Sequence, residues 1–450
     1  MKKLAILFIG GIMIVGAASA REIQITVYNN DLGLVRDLRE LELEAGRGTV
    51  TVTDVAALID PTSVHLKSQT REGGITVLEQ NYRYDLASPD RILERYLDHS
   101  VQAIVEGGEL HEGKLQSFAA GQLVLLSDRG LSLLQREKII DLRCPSLPEG
   151  LITKPTLVWD VQADRAGKQT AELSYLTSGI NWHAEYVAVT NEDDTQADLA
   201  AWVSVDNRSG AGYPEAQLQL IAGDVHVVQE ELAVRAKGGR LVPTQMAAAE
   251  VGFEEESFFE YHLYTLPRPT TILDRETKQI ALFAPTRTPV EKLYEYKPWV
   301  DEKKIRIVLQ FQNREERGLG MPLPAGKVRT YKRDSRGGQQ FIGEDAIDHT
   351  PRNEKVRLGL GNAFDVVAER TVKDQHQISD RVQEMTVEVK LRNRKEEAIT
   401  ILVQDRFRAD WQIVQQSHSS EKKDARTTEW AIEVGPDAEV VLTYTVRIRW

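Results

Sequence analysis

Three segments of this chain alternate apolar and polar residues and then stop at the same dipeptide, Asn-Arg. They are Trp202-Val-Ser-Val-Asp-Asn-Arg208, Ile307-Val-Leu-Gln-Phe-Gln-Asn-Arg314 and Val387-Glu-Val-Lys-Leu-Arg-Asn-Arg394. A period of two puts every second side chain on one face, the pattern of a half-buried β-strand. Asn suits the exit, because its amide bonds nearby backbone groups and tolerates left-handed conformations. The spacings between the three Asn residues, 106 and then 80, are too irregular for a solenoid and fit successive β-sandwiches. Three Asn-Arg corners could also form an anion site, but loop entry is the simpler reading.

The same alternation recurs elsewhere. Ile23, Ile25 and Val27 share a face, as do Val50 with Val52 and Ile75 with Val77. Short apolar bursts over 101–145, punctuated by Gly121 and Gly130, predict a small five-stranded barrel of SH3-like or Sm-like type. One short helix precedes it. Ser88 is placed to cap, Pro89 to open the first turn, and Ile92, Leu93, Tyr96 and Leu97 to form the apolar face. The fold class expected is therefore mostly β, with multidomain β-sandwiches, a small barrel and one short helix in the N-terminal third.

The N-terminus reads as an export signal. Lys2 and Lys3 precede an apolar run, Leu4 to Val15, and Ala18-Ser19-Ala20 supplies the small-x-small pattern of a cleavage site. The run is shorter than the roughly 20 residues that span a bilayer. The formal net charge of −12 becomes −14 once both lysines are removed with the leader, which disfavours nucleic acid as a partner. Localisation is expected to be periplasmic or extracellular, with no transmembrane segment after signal removal.

The segments expected are 1–20 signal peptide, 21–100 N-terminal β-rich segment ending in the helix, and 101–145 barrel. They continue as 150–228 first sandwich, 229–257 flexible linker, 258–300 strands rejoining the first sandwich, and 301–450 C-terminal sandwich. The linker is assigned from Gly238-Gly239, the Ala247-Ala248-Ala249 run and Glu254-Glu255-Glu256, which show no sustained period.

The residues that usually carry chemistry do not converge in sequence. Cys144 is the single cysteine, so no intrachain disulfide can form, and it has no neighbouring base to make a thiolate. Of nine histidines no two lie within four residues, which removes zinc-protease and finger spacings. Gly359-Leu-Gly361 lacks the third Gly of a dinucleotide site, and Ala325-Gly-Lys327 lacks the earlier Gly of a phosphate loop. Asn191, Asp193 and Thr195 sit at alternate calcium-loop positions, but Gln196 stands where the turn Gly belongs. No residue is assigned as catalytic, cofactor-binding or metal-ligating, and no cofactor is expected. Lys327, Arg329, Lys332, Arg333 and Arg336 surround Tyr331 in a hairpin, a candidate grip for an anionic glycan or an envelope protein.

A series of motifs carries a family resemblance. It comprises Leu173-Ser-Tyr175, Gly179-Ile-Asn-Trp182-His-Ala-Glu-Tyr186, Ala201-Trp-Val-Ser-Val-Asp-Asn-Arg-Ser-Gly210, Tyr264-Thr-Leu-Pro-Arg-Pro269, Glu276-Thr-Lys278 and Gly318-Leu-Gly-Met-Pro-Leu-Pro-Ala-Gly326. Over roughly 171–450 the chain resembles a bacterial family catalogued as domain of unknown function four-one-three-nine, also called mucoidy-inhibitor-like. Gly210-Ala-Gly-Tyr213 departs from the Gly-Glu-Asp-Trp of many relatives, which marks a divergent branch. The resemblance implies an exported β-rich protein without established catalytic residues, and its name hints at the envelope or exopolysaccharide. Three functions are therefore carried forward. The first is an exported binding or structural protein of the envelope or extracellular space. The second is a polysaccharide or peptide hydrolase with an unidentified carboxylate site. The third is an outer-membrane β-barrel, suggested by the alternation from Val440 to Trp450.

Export predicts cleavage between Ala20 and Arg21. N-terminal sequencing of the exported protein should read Arg-Glu-Ile-Gln, and an intact Met1 would exclude the leader.

Overall fold

A computed structural model describes residues 21–148, 151–223, 225–226 and 252–450. The expected leader lies outside these residues, as does most of the expected 229–257 linker. The last residues of that stretch are not linker-like: Glu254–Phe258 is a strand paired antiparallel with Tyr261–Thr265. The structure is dominated by strands, and Pro89–Arg95 is the one α-helix among the described residues. The mostly β, multidomain fold class holds.

The chain forms two compact units. Of the described residues, the first comprises those within 21–181, 206–219 and 268–276; the second comprises those within 182–205, 220–267 and 277–450.

In the first unit Glu22–Tyr28 pairs with Gly33–Leu43, which pairs with Gly167–Thr177 and through it with His65–Ser68. The alternation predicts the burial: Ile23, Ile25 and Val27 are all buried, as are Val50 and Val52. Val77 is the exception. Ile75 is buried while Val77 is 36% exposed, because Ile75–Arg83 is an edge strand and its register with Thr156–Ala163 shifts beside Val77. Asp37 is fully buried and holds two guanidinium forks, from Arg21 at 2.7 Å and Arg39 at 2.6 Å. A buried carboxylate needs such compensation, since desolvation alone would expel the charge.

The helix forms as its caps dictate. Ser88 Oγ accepts from Arg91 N–H at 3.3 Å, Pro89 opens the first turn, and Leu93 and Tyr96 enter a core with Val101, Ala103, Leu115 and Leu125. That core belongs to a five-stranded antiparallel sheet in which Ile139–Arg143 and Gly130–Gln135 are the outermost strands. A flat sheet would separate these edges by four strand spacings, about 19 Å. They are joined by the 3-10 turn Arg136–Lys138, which advances only about 2 Å per residue. The sheet must therefore curl strongly. It does not close, since no ladder joins the two edges, and this corrects the expected barrel. Each edge strand has one ladder only: Gly130–Gln135 with Gln122–Ser127, and Ile139–Arg143, bulged between Ile139 and Asp141, with Ser100–Val105. Leu131 and Leu133 are each 62% exposed, and Gly130–Gln135 sends only Leu134 into the core. Cys144 packs on the margin of the same core, where burial raises its thiol pKa; it is a structural residue.

In the second unit Lys304–Gln312, Lys355–Ser379, Val382–Asn393, Glu439–Arg449 and Asp410–Gln416 form consecutive antiparallel neighbours. A facing layer pairs Ile399–Arg406 with Thr427–Val434 and, in parallel, with the end of Glu276–Tyr296. Trp430 and Tyr444 stack at 4.5 Å in the core between them. Leu442, Tyr444 and Val446 are fully buried, as the C-terminal alternation predicts; Trp450, expected on that face, lies beyond the strand and is 63% exposed.

Several residues of the family motifs anchor this unit. Tyr186 and Tyr264 donate their hydroxyls to Pro324 O at 2.8 Å and Pro322 O at 3.0 Å, and Trp182 Nε1 donates to Ile221 O at 3.1 Å. Ile180–Thr190 runs parallel to Gly326–Arg333. A side chain at Gly326 would come within 2.1 Å of Ala184 O, so only Gly permits that approach.

The three Asn-Arg corners are structural, and they are built alike. Asn207, Asn313 and Asn393 are each 0% exposed. Asn207 Nδ2 donates to Ala211 O at 2.8 Å and Leu273 O at 3.0 Å, while its Oδ1 accepts from Ser209 N–H. Asn313 donates to Met321 O and Pro351 O and accepts from Gly320 N–H. Asn393 donates to Glu397 O and Gly435 O and accepts from Lys395 N–H. At two of the corners the Arg is already paired, Arg208 with Asp206 and Arg394 with Asp437.

Asn393→Asp should destabilise the protein by about 3 kcal/mol, since a carboxylate cannot donate and would face two carbonyls. Asn191→Asp is the control. Its Oδ1 accepts from Thr195 and Gln196 N–H, which a carboxylate also does, and its one amide donation goes to Thr195 Oγ1 at 3.0 Å, a hydroxyl that can turn and donate to a carboxylate instead. Denaturant midpoints check both; equal losses would show that amide donation is not what matters.

Candidate functional site

The Glu276–Tyr296 strand, the loop after it and the edges of Ile399–Arg406 and Thr427–Val434 surround a cleft of about 1200 Å3 in the second unit. Its lining carries six basic and six acidic side chains, so the cleft is polar and balanced in charge.

Several of these charges are held by a near neighbour. Asp194 sits at the turn after Ile180–Thr190 with φ of 55°, and accepts from Lys292 at 2.5 Å and Lys332 at 2.7 Å. Burial pushes its pKa up, but the two ammonium groups outweigh burial and hold it below the usual carboxylate range. Beneath the cleft Glu295, 3% exposed, is bracketed by Lys297 at 2.7 Å and by Arg357. Glu397 is bonded by Lys395, whose ammonium also donates to Tyr294 Oη at 3.0 Å; this pairing lowers the Glu397 pKa. Asp424 is lowered by accepting from the backbone N–H of Arg426, and Thr427 adds to it. Glu429 joins Lys423 at 3.1 Å and Gln404 at 2.7 Å.

One aromatic platform stands at the rim. Trp299 is 41% exposed, and the Arg406 guanidinium lies 5.2 Å from its ring centroid. That cation–π contact fixes the indole while leaving part of its surface to solvent. Trp299 follows closely on the strand Glu276–Tyr296, and no sequence motif marks it. The other lining groups come from strands far apart in the chain, and their alternating exposed positions look like ordinary solvated faces.

The sequence-derived candidates fare differently. The Asn191 loop contributes Asp193, Asp194 and Thr195 to the cleft wall, and the loop is closed by its own hydrogen bonds. The basic segment around Tyr331 is matched by carboxylates. Lys327 reaches Glu344 at 3.5 Å, Arg329 reaches Glu344 at 3.6 Å and Glu185 at 3.7 Å, Lys332 reaches Asp194, and Arg333 reaches Asp198 at 3.1 Å. Gly326–Arg333 lies between two strands rather than at an exposed edge, which brings these acids within reach. No histidine lines the cleft. Among the described residues, no cluster of three or more His, Cys, Asp or Glu is arranged to hold a metal ion.

The arrangement can form many hydrogen bonds and offer one stacking surface. Three of its six carboxylates, Asp194, Glu397 and Asp424, are held toward the ionised form.

Asp194 links the cleft to pH. Its folded pKa lies below its unfolded value of about 3.9, so its contribution is complete above that value and is lost as pH falls through the lower, folded pKa. Asp194→Asn should therefore cost about 1–2 kcal/mol at neutral pH and progressively less below about pH 4. Thermal melts of both proteins across pH check this; a difference that stays constant into acid would remove the ion pairs as its cause.

Among curated proteins, none matches this chain. Residues 171–450 match the family described as Domain of unknown function (DUF4139). That match takes in the Trp182, Tyr186 and Tyr264 anchors, all three Asn corners and the whole lining of the cleft. The chain belongs to the DUF4139 family.

Proposed function

We propose that this chain is an exported binding protein of the cell envelope or extracellular space, and that the cleft of the second unit is its ligand site. The observation that carries the reading is Trp299, held under Arg406 at the mouth of an open, charge-balanced cleft. Balanced charge gives no selectivity for a strongly ionic ligand. Many fixed donors and acceptors beside one ring instead suit a hydroxyl-rich chain, a neutral saccharide. Export rests on the leader pattern of the first 20 residues.

The other readings have less support. A hydrolase needs an acid that keeps its proton, and the three cleft carboxylates with shifted pKa values are shifted the wrong way. An outer-membrane barrel would turn the apolar face of Glu439–Arg449 to lipid, whereas Leu442, Tyr444 and Val446 lie in the core. An anionic glycan on the Tyr331 segment would have to compete with the carboxylates already paired there.

The test is a screen of neutral oligosaccharides against the mature protein by tryptophan fluorescence, with reducing ends measured in parallel. Binding should weaken about tenfold or more in Trp299→Ala, a loss of about 1.4 kcal/mol. No new reducing ends should appear. Binding that survives the substitution removes the cleft from the proposal, and turnover of the bound sugar replaces it with the hydrolase.

A further inference from the structure

In the first unit the end of Ile75–Arg83, the turn after it and the helix Pro89–Arg95 surround an open groove of about 630 Å3. Tyr82, Tyr84, Arg83, Arg91 and Arg95 line it with a single carboxylate, Asp85. Its charge is unbalanced. Arg91 and Arg95, one helical turn apart, share Asp85 at 3.7 and 3.0 Å, and Arg91 also bonds Glu94 at 2.8 Å. Among the described residues Arg83 has no ionic partner. This contrasts with the Tyr331 segment, where four cations already have carboxylates.

The groove also has a rigid floor. Tyr82 Oη donates to Ala57 O at 2.9 Å, which fixes its ring, and Tyr84 stacks on it with centroids 5.6 Å apart and planes 28° from parallel. Tyr84 is 70% exposed, so the stack leaves an aromatic surface to solvent. The turn is held as well: Ile152 N–H donates to Asp85 O at 3.1 Å, and Ala87 N–H donates to Ile152 O at 2.8 Å.

We propose that this groove binds a carboxylated saccharide, with one sugar ring stacked on Tyr84 and its carboxylate forked by Arg83. The guanidinium fork matches a carboxylate in two parallel hydrogen bonds, and the exposed phenol ring matches the flat apolar face of a sugar. Asp85 between Arg91 and Arg95 already shows how a carboxylate sits among these arginines. An acidic peptide would satisfy the arginines and leave the aromatic surface unused. The site is separate from the Trp299 cleft and takes a ligand of different charge.

Titration calorimetry of the mature protein with galacturonate oligomers tests the proposal, using the methyl-esterified oligomers and polyglutamate as comparisons. The acid oligomer should bind, more weakly as salt rises from about 20 to about 200 mM, and the ester should not. Arg83→Gln and Tyr84→Ala, both at exposed positions, should each weaken binding about tenfold while melting like the wild type. Trp299→Ala should leave this binding unchanged, which keeps the outcome independent of the cleft. Equal binding of acid and ester, undiminished binding by the Arg83→Gln/Tyr84→Ala double variant, or no binding of the acid oligomer would each overturn the proposal. Polyglutamate binding as tightly, with Tyr84→Ala silent, would also overturn it in favour of a peptide.

Discussion

Much of this fold depends on the carboxamide of a buried Asn. At Asn207, Asn313 and Asn393 one side chain donates to two carbonyls and accepts from one backbone N–H. A strand that ends inside a protein leaves backbone groups that need partners, and water cannot reach them there. The Asn supplies both kinds of partner from one residue. It thereby fixes where each strand stops and where the next loop begins. Asp would lack the donor, and Ser or Ala could not span the same set of groups.

Once the corners are set, charge is distributed by strand register. Side chains two apart on one strand face the same neighbour, so a basic strand beside acidic ones becomes an array of pairs. Lys327, Arg329, Lys332 and Arg333 are neutralised in this way. The same logic leaves Asp37 as the fully buried hub of Arg21 and Arg39. Where register supplies no acid, as at Arg83, the charge stays open to solvent. Local sequence therefore gives a poor account of surface potential in a sheet protein, because the partner across the ladder decides the sign.

The division between what could be read from sequence and what could not follows the range of each interaction. The strands around Ile23, Val52 and Leu442, the Ser88 cap and the helix face at Leu93 are local patterns, and all were legible. So was the structural role of the Asn corners, since each begins as a strand-to-turn signal. The state of the five-stranded sheet was only half legible. Its strands and preceding helix could be read, but whether its edges meet depends on register across the sheet, including the bulge between Ile139 and Asp141, which no local pattern shows. The cleft was not legible at all. Asp194, Lys292, Trp299, Arg406 and Glu429 are scattered over more than half of the second unit's chain, and none belongs to a motif. The Tyr331 segment failed for the same reason in reverse: four of its five cations, Lys327, Arg329, Lys332 and Arg333, have carboxylate partners outside the segment.

The corner at Asn207 carries a consequence for the order of events during synthesis. Its Nδ2 donates to Leu273 O, 66 residues further along. The first unit is completed only by Arg268–Glu276, after long stretches of chain that belong to the second. At about 5–20 residues per second the amide waits some 3–13 s for its acceptor to be made. Vectorial completion of the N-terminal unit is therefore ruled out by its own wiring. For that interval the corner at Asn207 lacks one of its acceptors, and the first unit lacks its last segment.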